Sequence, residues 1–102
     1  MPASPGISER AFLAQVRELA RLKSWATFHP LRSDNSEPGW PDLALCKPPF
    51  LWFLELKSER GRVTLEQQQW VDRLNLVRLV GASIMRPSDF SQIEKILTKE
   101  VR

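Results

Sequence analysis

The sequence predicts an α/β domain in the order α-β-β-β-α-β-α. Three observations carry this. Two segments, near the N-terminus and over residues 65–79, place apolar residues at helical spacing. The run Phe50 to Lys57, FLWFLELK, has the length of a strand and is apolar until its end. Turn-forming clusters separate the segments, most clearly at residues 31–41 and at Lys47-Pro48-Pro49. The 102 residues suffice for one modest core and not for two.

Each element has a local reason. Residues 1–6, with two prolines and a glycine, predict a disordered tip, leaving 7–102 as a single domain. Ser8 is an N-cap, with Ile7 and Phe12 at the N′ and N4 positions of a hydrophobic staple. Phe12, Leu13, Val16, Leu19 and Ala20 follow on one face, so a helix is expected from Glu9 to Lys23. Trp25 to Phe28 is the first strand. LRSDNSEPGWP, residues 31–41, is a loop, and DLALC, residues 42–46, is the second strand. The proline pair makes a turn, because it cannot sit inside a sheet. The third strand, residues 50–57, is apolar enough to be buried on both faces and central. SERGRV is a basic turn around Gly61. Thr64 opens a second helix over residues 65–79, with Trp70, Val71, Leu74 and Val77 on one face and Gly81 as its breaker. ASIMR, residues 82–86, is the fourth strand, and PSDF opens a last helix ending near residue 99.

Composition narrows the function. The net charge of +3 and pI near 9.5 suit a nucleic-acid partner without demanding one. A lone Cys46 excludes an intrachain disulfide, and Cys46 with a lone His29 cannot build a Cys/His zinc site. Cys46 reads as a small buried hydrophobe, which suits a reducing cytoplasm. The N-terminus lacks the apolar stretch of a signal peptide, and no apolar run approaches the roughly 20 residues of a membrane span. The expectation is a soluble cytoplasmic protein with no membrane partner.

Charged residues inside the apolar pattern carry the chemistry. Alternation along the third strand puts Glu55 and Lys57 on one face with Phe53, and Leu54 and Leu56 on the other. Asp42 begins the preceding strand, and a short connection brings it beside Glu55. On a helical wheel Glu9 lies within about 20° of the first helix's apolar stripe, Glu18 lies opposite, and Gln15 sits at the border. Gln67 likewise faces inward with Trp70, Val71 and Leu74. Each residue also has a plainer role: a solvated pair for Glu55 and Lys57, a first-turn carboxylate for Glu9, a capping box for Thr64 and Gln67. His29 is a candidate for a place near the site, although a lone histidine at a strand end is more often structural. If Glu9, Asp42 and Glu55 do converge, their repulsion calls for a cation or a shared proton. Hard oxygen donors suit Mg²⁺ or Mn²⁺, and a neighbouring lysine can steady an attacking water or a developing phosphoryl charge. That set fits metal-assisted phosphodiester hydrolysis.

The strings GWPDL and LELKSERGRVTLEQQQW resemble the PD-(D/E)xK nucleases, and more narrowly the small VRR-NUC domains that occur alone in phages and bacteria. The resemblance covers about residues 7–98, through Glu9, Gly39-Trp40-Pro41-Asp42, Glu55-Leu56-Lys57, Gly61 and Gln67-Gln68-Gln69-Trp70. It implies a restriction-endonuclease-like core, with a mixed four-stranded sheet flanked by helices. It implies Asp42 and Glu55 as metal ligands beside the Leu56 backbone carbonyl. Lys57 would activate or position water, and Glu9 would complete the acidic cluster directly or through water, with Gln15 as the alternative. Gln67 would be an accessory group at the site. Stand-alone members resemble Holliday-junction resolvases, so a homodimer acting on branched DNA is expected, with no small-molecule cofactor. Trp25, Trp40, Trp52 and Trp70, with Leu76 or Leu79, are candidates for the dimer interface. Arg32, Lys47, Arg60 and Arg62 are the expected phosphate contacts.

Overall fold

Residues 6–30 and 37–99 are described by the computed structural model, and they follow the predicted order of elements. These are α1 (Glu9–Leu22), β1 (Ala26–Phe28), β2 (Leu43–Lys47), β3 (Phe50–Leu56), α2 (Leu65–Leu74), β4 (Val80–Met85), a 3-10 turn (Pro87–Asp89) and α3 (Phe90–Leu97). The disordered tip expected for residues 1–6 lies, except for Gly6, outside the described residues, as does most of the loop after Pro30.

The strands form one mixed sheet in the order β1-β2-β3-β4. β1, β2 and β3 are antiparallel neighbours, and Pro48 and Pro49 make the turn between β2 and β3. β4 lies parallel to β3, with Leu51 opposite Val80 and Leu56 opposite Met85. The crossover between these parallel strands is α2, as parallel pairing requires. β3 is therefore interior to the sheet. Its C-terminal half, Leu54 to Leu56, is buried, while Phe50 to Phe53 is half-buried.

The two faces of β3 serve different layers. Leu54 and Leu56 join Leu43, Leu45 and the helices α1 and α3 in the main core. Phe12, Val16 and Ala20 of α1 and Ile93 and Leu97 of α3 are fully buried there. Ser8 caps α1 as predicted, its Oγ accepting the Ala11 N–H at 3.1 Å, and Ile7 packs on the core behind it. Trp25 is buried, and its indole N–H donates to the Leu97 carbonyl at 2.9 Å. Phe53 and Glu55 point the other way, toward α2.

Three local expectations fail, each for a visible reason. α2 ends at Leu74, five residues before the expected position 79. Asn75 turns its side chain onto β4: its amide donates to the Ala82 carbonyl and accepts the Ala82 N–H, both at 2.9 Å. The turn that follows places Leu79 at φ +68°. Gly81 is not the breaker but lies within β4, where a Cβ would stand 2.7 Å from the Trp52 ring. Cys46 is exposed rather than buried. It alternates with the inward residues Leu43 and Leu45 and points to the face of β2 that α1 does not cover. The interface candidates divide: Trp25 is buried, Trp52 and Trp70 are half-buried, and Leu76 and Leu79 stand in the open.

Asn75→Ala removes both bonds to Ala82 at the outer side of β4. A loss of about 1–2 kcal/mol is expected in urea denaturation. Asn75→Asp, which can accept but not donate, should fall between the two.

Candidate active site

The end of β3 gathers the charged groups. Glu55 is 2% exposed and Lys57 8%. They are the two buried charged side chains among the described residues. The Lys57 ammonium lies 3.7 Å from Glu55 Oε2. Asp42 precedes β2 and is one step beyond the Leu43–Leu54 pair, which brings it alongside Glu55. Its Oδ2 accepts the Leu56 N–H at 3.1 Å, replacing a backbone acceptor just past the end of the ladder. His29, after β1, donates Nδ1–H to the Asp42 carbonyl at 2.7 Å.

Gln67 joins from the first turn of α2. Its Oε1 accepts the Thr64 N–H at 2.9 Å, while its own N–H donates to Thr64 Oγ1 at 3.1 Å. Its side-chain NH₂ donates to Glu55 Oε2 at 3.1 Å. The cap and the contact with the β3 carboxylate are therefore made by the two ends of one amide.

The approach to Asp42 is clamped against the same helix. Gly39 has φ +83°, and a Cβ there would stand 2.4 to 2.7 Å from the backbone of Glu66 and Gln67. Only glycine allows that approach. Trp40 packs edge-on against Phe53 and Trp70, with ring centroids 5.5 and 4.8 Å apart, and the Trp70 indole donates to the Pro38 carbonyl at 3.1 Å. Pro41, fully buried, then delivers Asp42.

α1 supplies the opposite wall. Glu9, Arg10, Leu13, Ala14 and Arg17 face Asp42, Glu55, Lys57, Gln67 and His29 across a cleft of about 860 Å³. Glu9 is exposed in the first turn and reaches toward the Gly61 turn, where a Cβ would lie 3.3 Å from its Oε2. The apolar stripe of α1 thus overhangs the cleft at its N-terminal end. Gln15 lines a separate groove with Glu18, Leu19 and Phe90, so the position beside the acids belongs to Glu9.

Burial pushes the Glu55 carboxyl up to about 8, and the Asp42 charge and a hydrogen bond to Asp42 add to the effect. Lys57 opposes it, and Glu9 contributes a smaller push in the same direction as burial. Ionised Glu55 has one oxygen held by Gln67 and Lys57, whereas Oε1 is buried with no donor. A buried acceptor left bare is costly. A proton or a cation relieves it, and the oxygen donors of Asp42 and Glu55 fit a hard divalent ion. Among the described residues no three His, Cys, Asp or Glu side chains already stand in metal-ligating positions, and Asp42 is engaged by the Leu56 N–H.

The other expected contacts fall elsewhere. Lys47 is at the far end of β2 from Asp42, its ammonium donating to the Lys23 carbonyl at 3.0 Å. Arg60 and Arg62 are exposed on the turn after β3, outside the cleft lining. Arg32 lies outside the described residues. His29 lines the cleft, as its candidate place near the site implied, and so do Arg10 and Arg17, which are not among the expected phosphate contacts. The arginine signal was present: residues seven apart share a helix face.

A raised carboxyl has a defined signature. The folded chain keeps a proton on Glu55 that the unfolded chain releases above about 4.5. Stability is then fully present below pH 4.5 and is lost as pH rises toward 8. At about 1.4 kcal/mol per tenfold change, the ceiling is on the order of 5 kcal/mol. Glu55→Gln should flatten this slope in metal-free urea titrations, since the amide needs no proton.

Comparison of the chain with protein-family models, with curated proteins and with solved structures gives no match.

Proposed function

We propose that this chain is a metal-dependent, structure-selective DNA endonuclease with a PD-(D/E)xK core of the VRR-NUC kind. We further propose that it works as a homodimer on four-way junctions. The observation that carries the reading is the meeting of Glu9, Asp42, Glu55, Lys57 and Gln67 around one cleft. They come from four separate segments of chain, in the order that the sequence motif implies. The buried, donorless oxygen of Glu55 is a second support, because a structural ion pair has no reason to leave it bare.

Asp42, Glu55 and the Leu56 carbonyl would hold Mg²⁺ or Mn²⁺, with Glu9 directly or through a water. Bound there, the ion supplies Lewis acidity toward a phosphoryl oxygen and lowers the pKa of water. Lys57 donates from its ammonium to the attacking water and to the charge that builds on the phosphoryl group. Gln67 fixes the Glu55 carboxylate, and the Trp40 clamp fixes Asp42.

Labelled four-way-junction, flap and linear duplex DNA, incubated with Mg²⁺ or Mn²⁺, test the reading. Symmetric junction cutting is expected, with Lys57→Ala losing at least ~10²-fold in rate. Cutting of flaps or linear DNA instead keeps the site and removes the junction preference. DNA binding that is unaffected by EDTA, with no cutting, points to a non-catalytic DNA-binding module. Independently of cutting, Mn²⁺ should raise the melting temperature more at pH 8 than well below it, because protonated Glu55 is a poor ligand.

The homodimer reading rests on Leu76, Val77 and Leu79, which are 87%, 50% and 77% exposed. They precede β4 at the end of the sheet away from Leu56, so two copies joined there leave both clefts open. A C2 pair is the commonest assembly of this type. Light scattering at micromolar concentration should give twice the 11.8 kDa chain mass, and Leu76→Asp with Leu79→Asp should halve it. A wild-type monomer would remove this part of the proposal.

A further inference from the structure

We propose that Arg10 and Arg17 of α1 hold the phosphate backbone of a single DNA strand along the cleft. This rests on the nuclease reading and names which strand geometry the site takes. The arginines sit on one face of α1, two helical turns apart, and both line the cleft that contains Asp42, Glu55 and Lys57.

Their lack of partners sets them apart. Arg21 is paired with Glu18 at 2.8 Å. Arg86 donates to the Ser58 and Glu59 carbonyls, and Arg73 lies over the Trp70 ring. Lys47 is bonded to the Lys23 carbonyl. Arg10 and Arg17 have no side-chain hydrogen bond, ion pair or ring contact among the described residues. Arg60 and Arg62 are also unpaired, but they lie outside the cleft lining. Two guanidinium groups with no internal partner, facing a polar cleft, are available for phosphate oxygens.

The spacing suits one strand. Seven helical residues span about 10.5 Å of α1, so the two long side chains can engage separate phosphates of one strand. Leu13 and Ala14 lie between the arginines and leave that wall low and apolar. A cleft of about 860 Å³ takes in a short stretch of one strand's backbone. The charges are also divided. Glu9, Asp42 and Glu55 are the acidic lining and Arg10, Arg17 and Lys57 the basic lining. Filling the acidic part with a divalent ion leaves a net positive cleft, so strand binding and cation binding reinforce each other.

The test is the salt dependence of binding by the full chain in Ca²⁺, read by anisotropy. The probe is a fluorescein-labelled oligothymidylate of about 12 nucleotides, within the usual range for single-strand binders. Between about 50 and 200 mM salt, the log–log slope should fall by about 0.7 in Arg17→Gln and about 1.4 in Arg10→Gln with Arg17→Gln. Arg78→Gln, at the other end of the sheet, should leave the slope unchanged. Unaltered melting temperatures establish that the variants fold. The proposal is overturned by an unchanged slope in the double variant, by loss of the slope only in Arg60→Gln with Arg62→Gln, or by no binding at all. Retained arginine-dependent binding with no cutting of any DNA would support this proposal while removing the nuclease reading.

Discussion

A carboxylate buried at the end of an interior strand has to be given donors, a proton or a cation, and the surroundings of Glu55 are built on that requirement. One oxygen is met by Gln67 and Lys57, and the other is left bare. Asp42, beside it, increases the demand rather than relieving it. Replacing the pair by apolar residues would remove the desolvation cost altogether. The buried Glu55 and Lys57 therefore carry a desolvation cost in the folded chain.

Gln67 shows how little chain is needed to organise such a site. The oxygen of its amide completes the N-terminal cap of α2 and its nitrogen holds Glu55. The helix start and the carboxylate orientation are thus set by one side chain whose rotamer the cap already restricts. Gly39 fixes the remaining degree of freedom by letting the segment that carries Asp42 approach the same helical turn. β3, α2 and the segment before β2 are consequently placed relative to one another by short polar and backbone contacts. The large core, between the sheet and helices α1 and α3, lies on the opposite face.

Much of this was legible in the sequence because it rests on local rules. Ser8 and Thr64 announced helix starts, and alternation along β3 separated Glu55 and Lys57 from Leu54 and Leu56. The wheel aimed Glu9 and Gln67 correctly, although it could not tell that Glu9 stands beyond the core in a cleft. What stayed hidden depended on distant contacts. The end of α2 is decided by Asn75 meeting Ala82, and the need for glycine at 81 by the Trp52 ring. Lys47 looked close to Asp42 in sequence, yet it stands at the far end of the extended β2. The exposure of Cys46 follows from which half of the sheet α2 covers, which no periodicity records.

The Asn75 amide has a consequence for how molecules of this chain can meet. β4 is the last strand of the sheet, and the outward N–H and carbonyl of Ala82 would ordinarily invite another strand to add there. The amide presents the same donor and acceptor pair that such a strand would, and so occupies its place. One side chain thereby acts as a stopper against fibre-like growth at the centre of that border.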